Sequence, residues 1–305
     1  MPQPTVVPLS RKSTNGRFLK AMLRWQFQAL GRFAPALSDR KAAELFVTPQ
    51  RRRHAPVPGT PGLEARSFQV PSDGETLAAW SFGVGPTVVL VHGWNGNAAQ
   101  LSSFIRPLVD AGFRVVAFDQ PAHGHSSGRR ATVPKMAEAL QSIARAVGPL
   151  HAVVAHSLGG TATALALFDN LPAGRAVLVA PPAAPQHFIG RLAAGIGLSP
   201  ARAEGMLLSV QRLLGVHLES LDVRRFAPWI RQPVLLFHDV ADREVPFSQG
   251  RAIAEAWPGA RFVPLERLGH TRPLADAEVL RSTVAFVREG SAAAARPSTE
   301  QATSG

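Results

Sequence analysis

The sequence predicts an α/β fold in which a mostly parallel sheet is covered by helices on both faces. Three observations point to it. Short continuous apolar runs recur through the middle of the chain, at Thr87–Val91, Leu150–Ala155, Ala176–Ala180 and Pro233–Phe237. Stretches with apolar residues at three- and four-residue spacing separate these runs. Cysteine is absent, which excludes disulfide-stapled small folds, thiolate-ligated zinc modules and a cysteine nucleophile. A short run apolar at every position reads as a strand buried on both faces, and its alternation with helices implies right-handed parallel crossovers.

The elements follow in order. Residues 1–62 form a basic helical extension and linker. Phe18, Leu19, Met22, Leu23, Phe27 and Leu30 keep helical spacing, with Arg17, Lys20, Arg24 and Gln28 largely off that stripe. A second helix is expected from Ser38, as N-cap, to Phe46. Pro49 to Gly62, with Arg51, Arg52 and Arg53, reads as a solvated linker. Arg66–Val70 and Thr76–Trp80 around Ser72-Asp73-Gly74 suggest a hairpin. Strands are then expected at 87–91, 113–118, 150–155, 176–180, 233–237 and 261–265. Helices are expected at 101–108, 132–147, 158–170 and 247–257, and a last one ending at Gly290. Residues 183–230 carry no strand-like run and read as a helical insertion. Residues 290–305 are rich in Ala, Ser and Thr and read as a disordered tail.

The net charge is +12, but its distribution argues against a nucleic-acid binder. Residues 1–61 hold eleven Lys/Arg against two Asp/Glu, whereas the rest holds 22 against 19. No apolar run reaches the ~18 residues of a membrane-spanning helix. Three readings of the extension stay open: packing on the main domain, weak membrane-surface contact, or a removable targeting segment. The expected location is cytoplasmic, with peripheral membrane association as the alternative.

The chemistry concentrates in a few segments. In Val153-Val-Ala-His-Ser157-Leu-Gly159 a buried strand ends in a serine flanked by small residues, and a helix begins. That pattern pushes the hydroxyl out at the carboxyl edge of the sheet as a nucleophile. His92-Gly93-Trp94 leaves the neighbouring strand, so the backbone N–H groups of Trp94 and Leu158 are the expected oxyanion donors. His270 leaves the last strand at the same edge and is the expected base. Asp242, in the loop after the preceding strand, is the expected acid, with Asp239 as competitor. No metal site or cofactor is expected, because phosphate-cradling motifs are absent and no carboxylate spacing turns His123, His125 and His156 into a metal cluster.

Taken together, His92-Gly93-Trp94, Asp119 to Ser126, Ala155 to Gly159, Asp242 to Pro246 and Gly269-His270 resemble the α/β-hydrolase family, over residues 63–289 and in the family's order. Ala155 and Ala122 stand where that family often has glycine. The resemblance implies a serine hydrolase acting on a small-molecule acyl substrate through a Ser-His-Asp triad and an acyl-enzyme. It also implies a structural role for Asp119 and a cap formed by residues 183–230. The apolar composition of that insertion suggests a small or medium carboxylic ester. A thioesterase, an aminopeptidase, a carbon–carbon bond hydrolase and a non-catalytic binding protein on the same scaffold are the alternatives, and the oligomeric state stays open.

Overall fold

The computed structural model describes residues 14–51 and 58–294, with side chains given for 21–51 and 58–289. Two compact units emerge. One comprises residues 1–46 and 186–216, the other residues 47–185 and 217–305. The expected insertion at 183–230 is therefore divided between them. Arg52, Arg53 and residues 295–305, which hold most of the expected tail, lie outside the described residues.

The first unit is helical. Helix α1 spans Thr14–Phe33 and α2 spans Pro35–Val47, the last residue of which begins the other unit. Ser38, expected to cap α2, instead lies inside it. Proline needs no partner for its missing N–H and sits well in a first helical turn, so Pro35 starts the helix three residues earlier. Two further helices, His187–Gly195 and Pro200–Leu214, complete this unit.

The second unit is built on an eight-stranded sheet. Its hairpin is β1 (Arg66–Ser72) and β2 (Glu75–Phe82), joined by Asp73 and Gly74, both at positive φ (45° and 72°), which matches the twist of a two-residue hairpin turn. The chain continues as β3 (Thr87–Val91), a 3₁₀ turn at Ala98–Phe104 leading into α3 (Ile105–Asp110), and β4 (Arg114–Phe118). Next come α4 (Val133–Val147), β5 (Ala152–His156), α5 (Leu158–Phe168) and β6 (Ala176–Val179). Thr132 caps α4, its side chain accepting from Lys135 N–H. Here the first unit contributes α6 (His187–Gly195) and α7 (Pro200–Leu214). The second unit resumes with α8 (Val223–Phe226), β7 (Val234–Asp239), α9 (Phe247–Ala256), β8 (Arg261–Leu265) and α10 (Ala277–Ala294). Helix α10 runs through Gly290, where the sequence suggested a stop. One glycine costs a helix only about 1 kcal/mol, and the alanines after it are strong helix formers.

The strand order is β1-β2-β4-β3-β5-β6-β7-β8. The pairs β1/β2 and β2/β4 are antiparallel and all others are parallel. Val88, Leu90, Val154, Val179 and Phe237 join Leu101, Ile105, Leu108, Phe286 and Val287 in one core. Val89, Val91, Val153 and Leu236 point to the opposite face and are equally buried. Both faces of the central strands are therefore dry, as their uninterrupted apolar sequence requires.

Within the helical unit, Asp39 of α2 is buried and meets Arg202 of α7, Nη1 to Oδ2 at 3.1 Å. Gly205 makes room, since a Cβ there would stand 2.1 Å from Asp39 Oδ2. Removing the guanidinium leaves a buried carboxylate unpaired, which costs far more than breaking an exposed pair. Arg202→Met is expected to lower the unfolding free energy by about 1–2 kcal/mol, discounted for the partial exposure of Arg202. Arg106→Ala, at the exposed Arg106–Asp110 pair, is expected to stay within about 0.5 kcal/mol. Urea midpoints of the two variants check the contrast.

Candidate active site

Ser157 sits between β5 and α5 with φ 52° and ψ −128°, a conformation an L-residue adopts only when its surroundings force it. The surroundings are two glycines. A Cβ on Gly93 would lie 2.8 Å from Ser157 Cβ, and one on Gly159 would lie 2.5 Å from the His92 carbonyl oxygen. Backbone thus packs on backbone where β3, β5 and α5 meet, and Ala155, fully buried, is small enough for the same turn.

Around this turn the sequence-predicted residues converge. His270 Nε2 lies 3.0 Å from Ser157 Oγ, and His270 Nδ1 lies 2.7 Å from Asp242 Oδ2. With Nδ1–H donating to the carboxylate, Nε2 is left as the acceptor for the serine hydroxyl. Asp242 Oδ1 accepts from the N–H groups of Glu244 (2.8 Å) and Val245 (3.0 Å). Burial pushes the Asp242 carboxyl up. The hydrogen bond and charge of His270, with the two backbone donors, outweigh that and hold it below the usual carboxylate range. Asp239 faces elsewhere: its oxygens accept from Ala241 N–H (2.8 Å) and Leu268 N–H (2.7 Å), which ties the strand ends together. The N–H groups of Trp94 and Leu158 lie on the two segments that Gly93 brings together, and neither has an acceptor among the described residues.

The family model for the alpha/beta hydrolase fold matches residues 86–203. An uncharacterized abhydrolase domain-containing protein of Dictyostelium discoideum is 30% identical over 154 residues, 47% of this chain and 15% of that protein. The pimeloyl-[acyl-carrier protein] methyl ester esterase of Methylococcus capsulatus is 42% identical over 66 residues, 21% of this chain and 23% of that protein. The matched stretches thus span less than a quarter of either curated relative. Among solved structures, the Pyrococcus furiosus esterase Pf2001 superposes with a TM-score of 0.63 at 20% identity, over 80% of this chain and 99% of that one. The chain has the α/β-hydrolase fold.

Apart from Asp119, whose structural role the resemblance implied, the residues that brace this site carried little signal of their own in the sequence. His156, beside Ser157, donates from Nε2 to the His270 carbonyl at 3.0 Å, so strand β5 holds the loop bearing His270. His238 donates from Nε2 to the Val245 carbonyl at 3.0 Å and closes the turn that caps Asp242. Gly250 of α9 leaves room for that ring, since a Cβ there would stand 2.1 Å from His238 Nδ1. His92 accepts from Gln120 N–H (2.9 Å) and donates to the Gly93 carbonyl, while His123 accepts from Asn95 N–H (3.1 Å) and donates to the Pro121 carbonyl. The two rings thereby brace the loop on both sides of Trp94. Asp119 accepts from Ala98 and His125 N–H groups, both at 2.7 Å, and closes the adjoining turn. Among the described residues no group of three or more His, Asp or Glu could hold a metal ion.

Arg51 corrects an expectation. Read as part of a solvated linker, it donates to the carbonyls of Ala122 (3.2 Å), Ser126 (2.5 Å) and Gly128 (3.0 Å). A guanidinium with five donors can gather carbonyls from an irregular loop, which a charge count along the sequence does not reveal.

Burial keeps His92, His123 and His156 neutral, lowering them to about 4, about 3 and about 3 from 6.5. Between 6.5 and those values the unfolded chain binds more protons than the folded one, so stability falls as the pH falls. Each such histidine contributes up to about 1.4 kcal/mol per pH unit in that window. The lowered Asp242 carboxyl acts only further down, as the pH falls below its unfolded value of 3.8. Urea midpoints are therefore expected to drop steadily from pH 7 to pH 5, with a shallower slope in His123→Gln; a flat wild-type profile contradicts this. At Gly93 an added methyl meets Ser157 itself, so Gly93→Ala is expected to lower turnover at least about 100-fold while leaving the circular dichroism spectrum unchanged.

Proposed function

We propose that this α/β-hydrolase is a serine hydrolase that cleaves a carboxylic ester through an acyl-enzyme. The observation that carries the reading is the unbroken hydrogen-bond line from Ser157 Oγ through His270 to Asp242, beside two backbone N–H groups with no acceptor of their own among the described residues. In the first half-reaction Ser157 Oγ attacks the carbonyl carbon and its proton passes to His270 Nε2. Asp242 stabilises the imidazolium, and the Trp94 and Leu158 N–H groups receive the negative charge that develops on the carbonyl oxygen. His270 then protonates the departing alcohol. In the second half-reaction water, deprotonated by His270, attacks the acyl-enzyme and releases the acid and Ser157.

The ester-hydrolysing relative of Methylococcus capsulatus supports the choice of bond. Thioesters and amides engage the same groups, so the bond is decided by comparing rates on matched chromogenic esters, thioesters and anilides.

A fluorophosphonate probe is expected to label the wild-type chain and not Ser157→Ala. Asp242→Asn is expected to lower kcat by about 10⁴, because the amide disfavours the tautomer that leaves Nε2 free. Asp239→Asn is expected to cost under about tenfold, since its carbonyl oxygen can still accept from one of its two backbone donors. Equal labelling of wild type and Ser157→Ala, or equal losses in the two aspartate variants, sinks the assignment.

A further inference from the structure

Helix α1 has two apolar faces, and only one is used. Phe27 is buried, with Leu23 and Leu30 half-buried beside it. On the opposite side Met22, Trp25 and Phe33 are 42%, 69% and 82% exposed. Their spacing, with Ala29 between, puts them in one stripe along the helix. A lone exposed apolar residue on a surface is ordinary, but an aligned tryptophan and phenylalanine are not.

Every exposed charged residue of α1 and α2 among the described residues is basic. Arg24 and Arg32 are exposed on the same helix, and Arg40 and Lys41 are exposed on α2. Residues 1–38 contain no Asp or Glu. The helical unit as a whole holds eleven Lys/Arg against three Asp/Glu. One of those three acids, Asp39, is buried and bound to Arg202, so it does not offset the surface charge. No helix among the described residues is long and apolar enough to cross a membrane.

We infer that this face of α1 docks on an anionic lipid bilayer. The stripe would sink to the boundary between headgroups and acyl chains, where an indole finds both an apolar bed and polar neighbours. Arg32, which adjoins Trp25 on the helix, would meet lipid phosphates. Charge complementarity selects this occupant over a neutral bilayer. It also selects it over a second copy of the chain, because two such faces brought together would oppose their own cations. The inference does not rest on the acyl-hydrolase reading.

The test is co-sedimentation of the full chain with vesicles of phosphatidylcholine alone and of phosphatidylcholine mixed with phosphatidylglycerol, over a series of NaCl concentrations. Binding to the mixed vesicles, much weaker binding to the neutral ones, and loss with rising salt are expected. The double variant Trp25→Ala/Phe33→Ala is expected to lose at least about tenfold in partitioning. Arg32→Gln is expected to lose about fivefold. Thermal unfolding and hydrolysis of a water-soluble ester should match wild type in these variants. If the ester is not hydrolysed by any of them while vesicle binding follows the pattern, the catalytic reading fails and the docking face stands. Absence of wild-type binding to the mixed vesicles, or binding untouched by the double variant, overturns the inference. So does a dimer, seen by analytical ultracentrifugation without lipid, that the double variant dissolves.

Discussion

The close approach of three backbone segments at Ser157 is the constraint from which the site follows. The chain leaves β5, turns through a residue at positive φ and enters α5 within one residue. It can do so only because Gly93 and Gly159 let the loop after β3 and the start of α5 come into contact. Two things result from one packing event. The hydroxyl is lifted to the carboxyl edge of the sheet, and beside it the N–H groups of Trp94 and Leu158 have no acceptor among the described residues. Strain in the turn and unpaired amides are each unfavourable for folding, and they are held by the dry core on either side of β3, β5 and β6.

The surrounding histidines work by being neutral. A charged imidazole in a fully buried place is costly, so burial fixes His92, His123, His156 and His238 as one-donor, one-acceptor groups. In that form each can brace a particular loop: the Trp94 segment by His92 and His123, the His270 loop by His156, the Asp242 turn by His238. His270 differs in its partners rather than its chemistry, since one ring nitrogen faces a carboxylate and the other a hydroxyl. The same side chain thus braces a loop, or links a carboxylate to a hydroxyl, according to what lies at its two nitrogens.

The N-terminal helices and the segment after β6 form one compact unit despite the 139 residues between them. Their common feature in the sequence is basic charge with alanine and leucine, which says nothing about partnership. A buried aspartate in α2 and its arginine in α7 make the link.

The sequence by itself determined the sheet and the positions at its carboxyl edge. Apolar runs in a solvent of water leave few alternatives to buried parallel strands, and the order of Ser157, Asp242 and His270 along the chain put all three in loops after strands. Element ends shifted by a residue or two, and by more where local rules competed, as at Pro35 and Gly290. Only the tertiary structure decided between Asp239 and Asp242 as neighbour of His270. They stand three residues apart in one loop, and which carboxylate meets an imidazole depends on how two loops from different strands fold over one another. It likewise decided that Arg51 grips a loop and that Met22 faces away from Phe27. Those outcomes rest on contacts between residues distant in the chain, about which periodicity and composition carry no information.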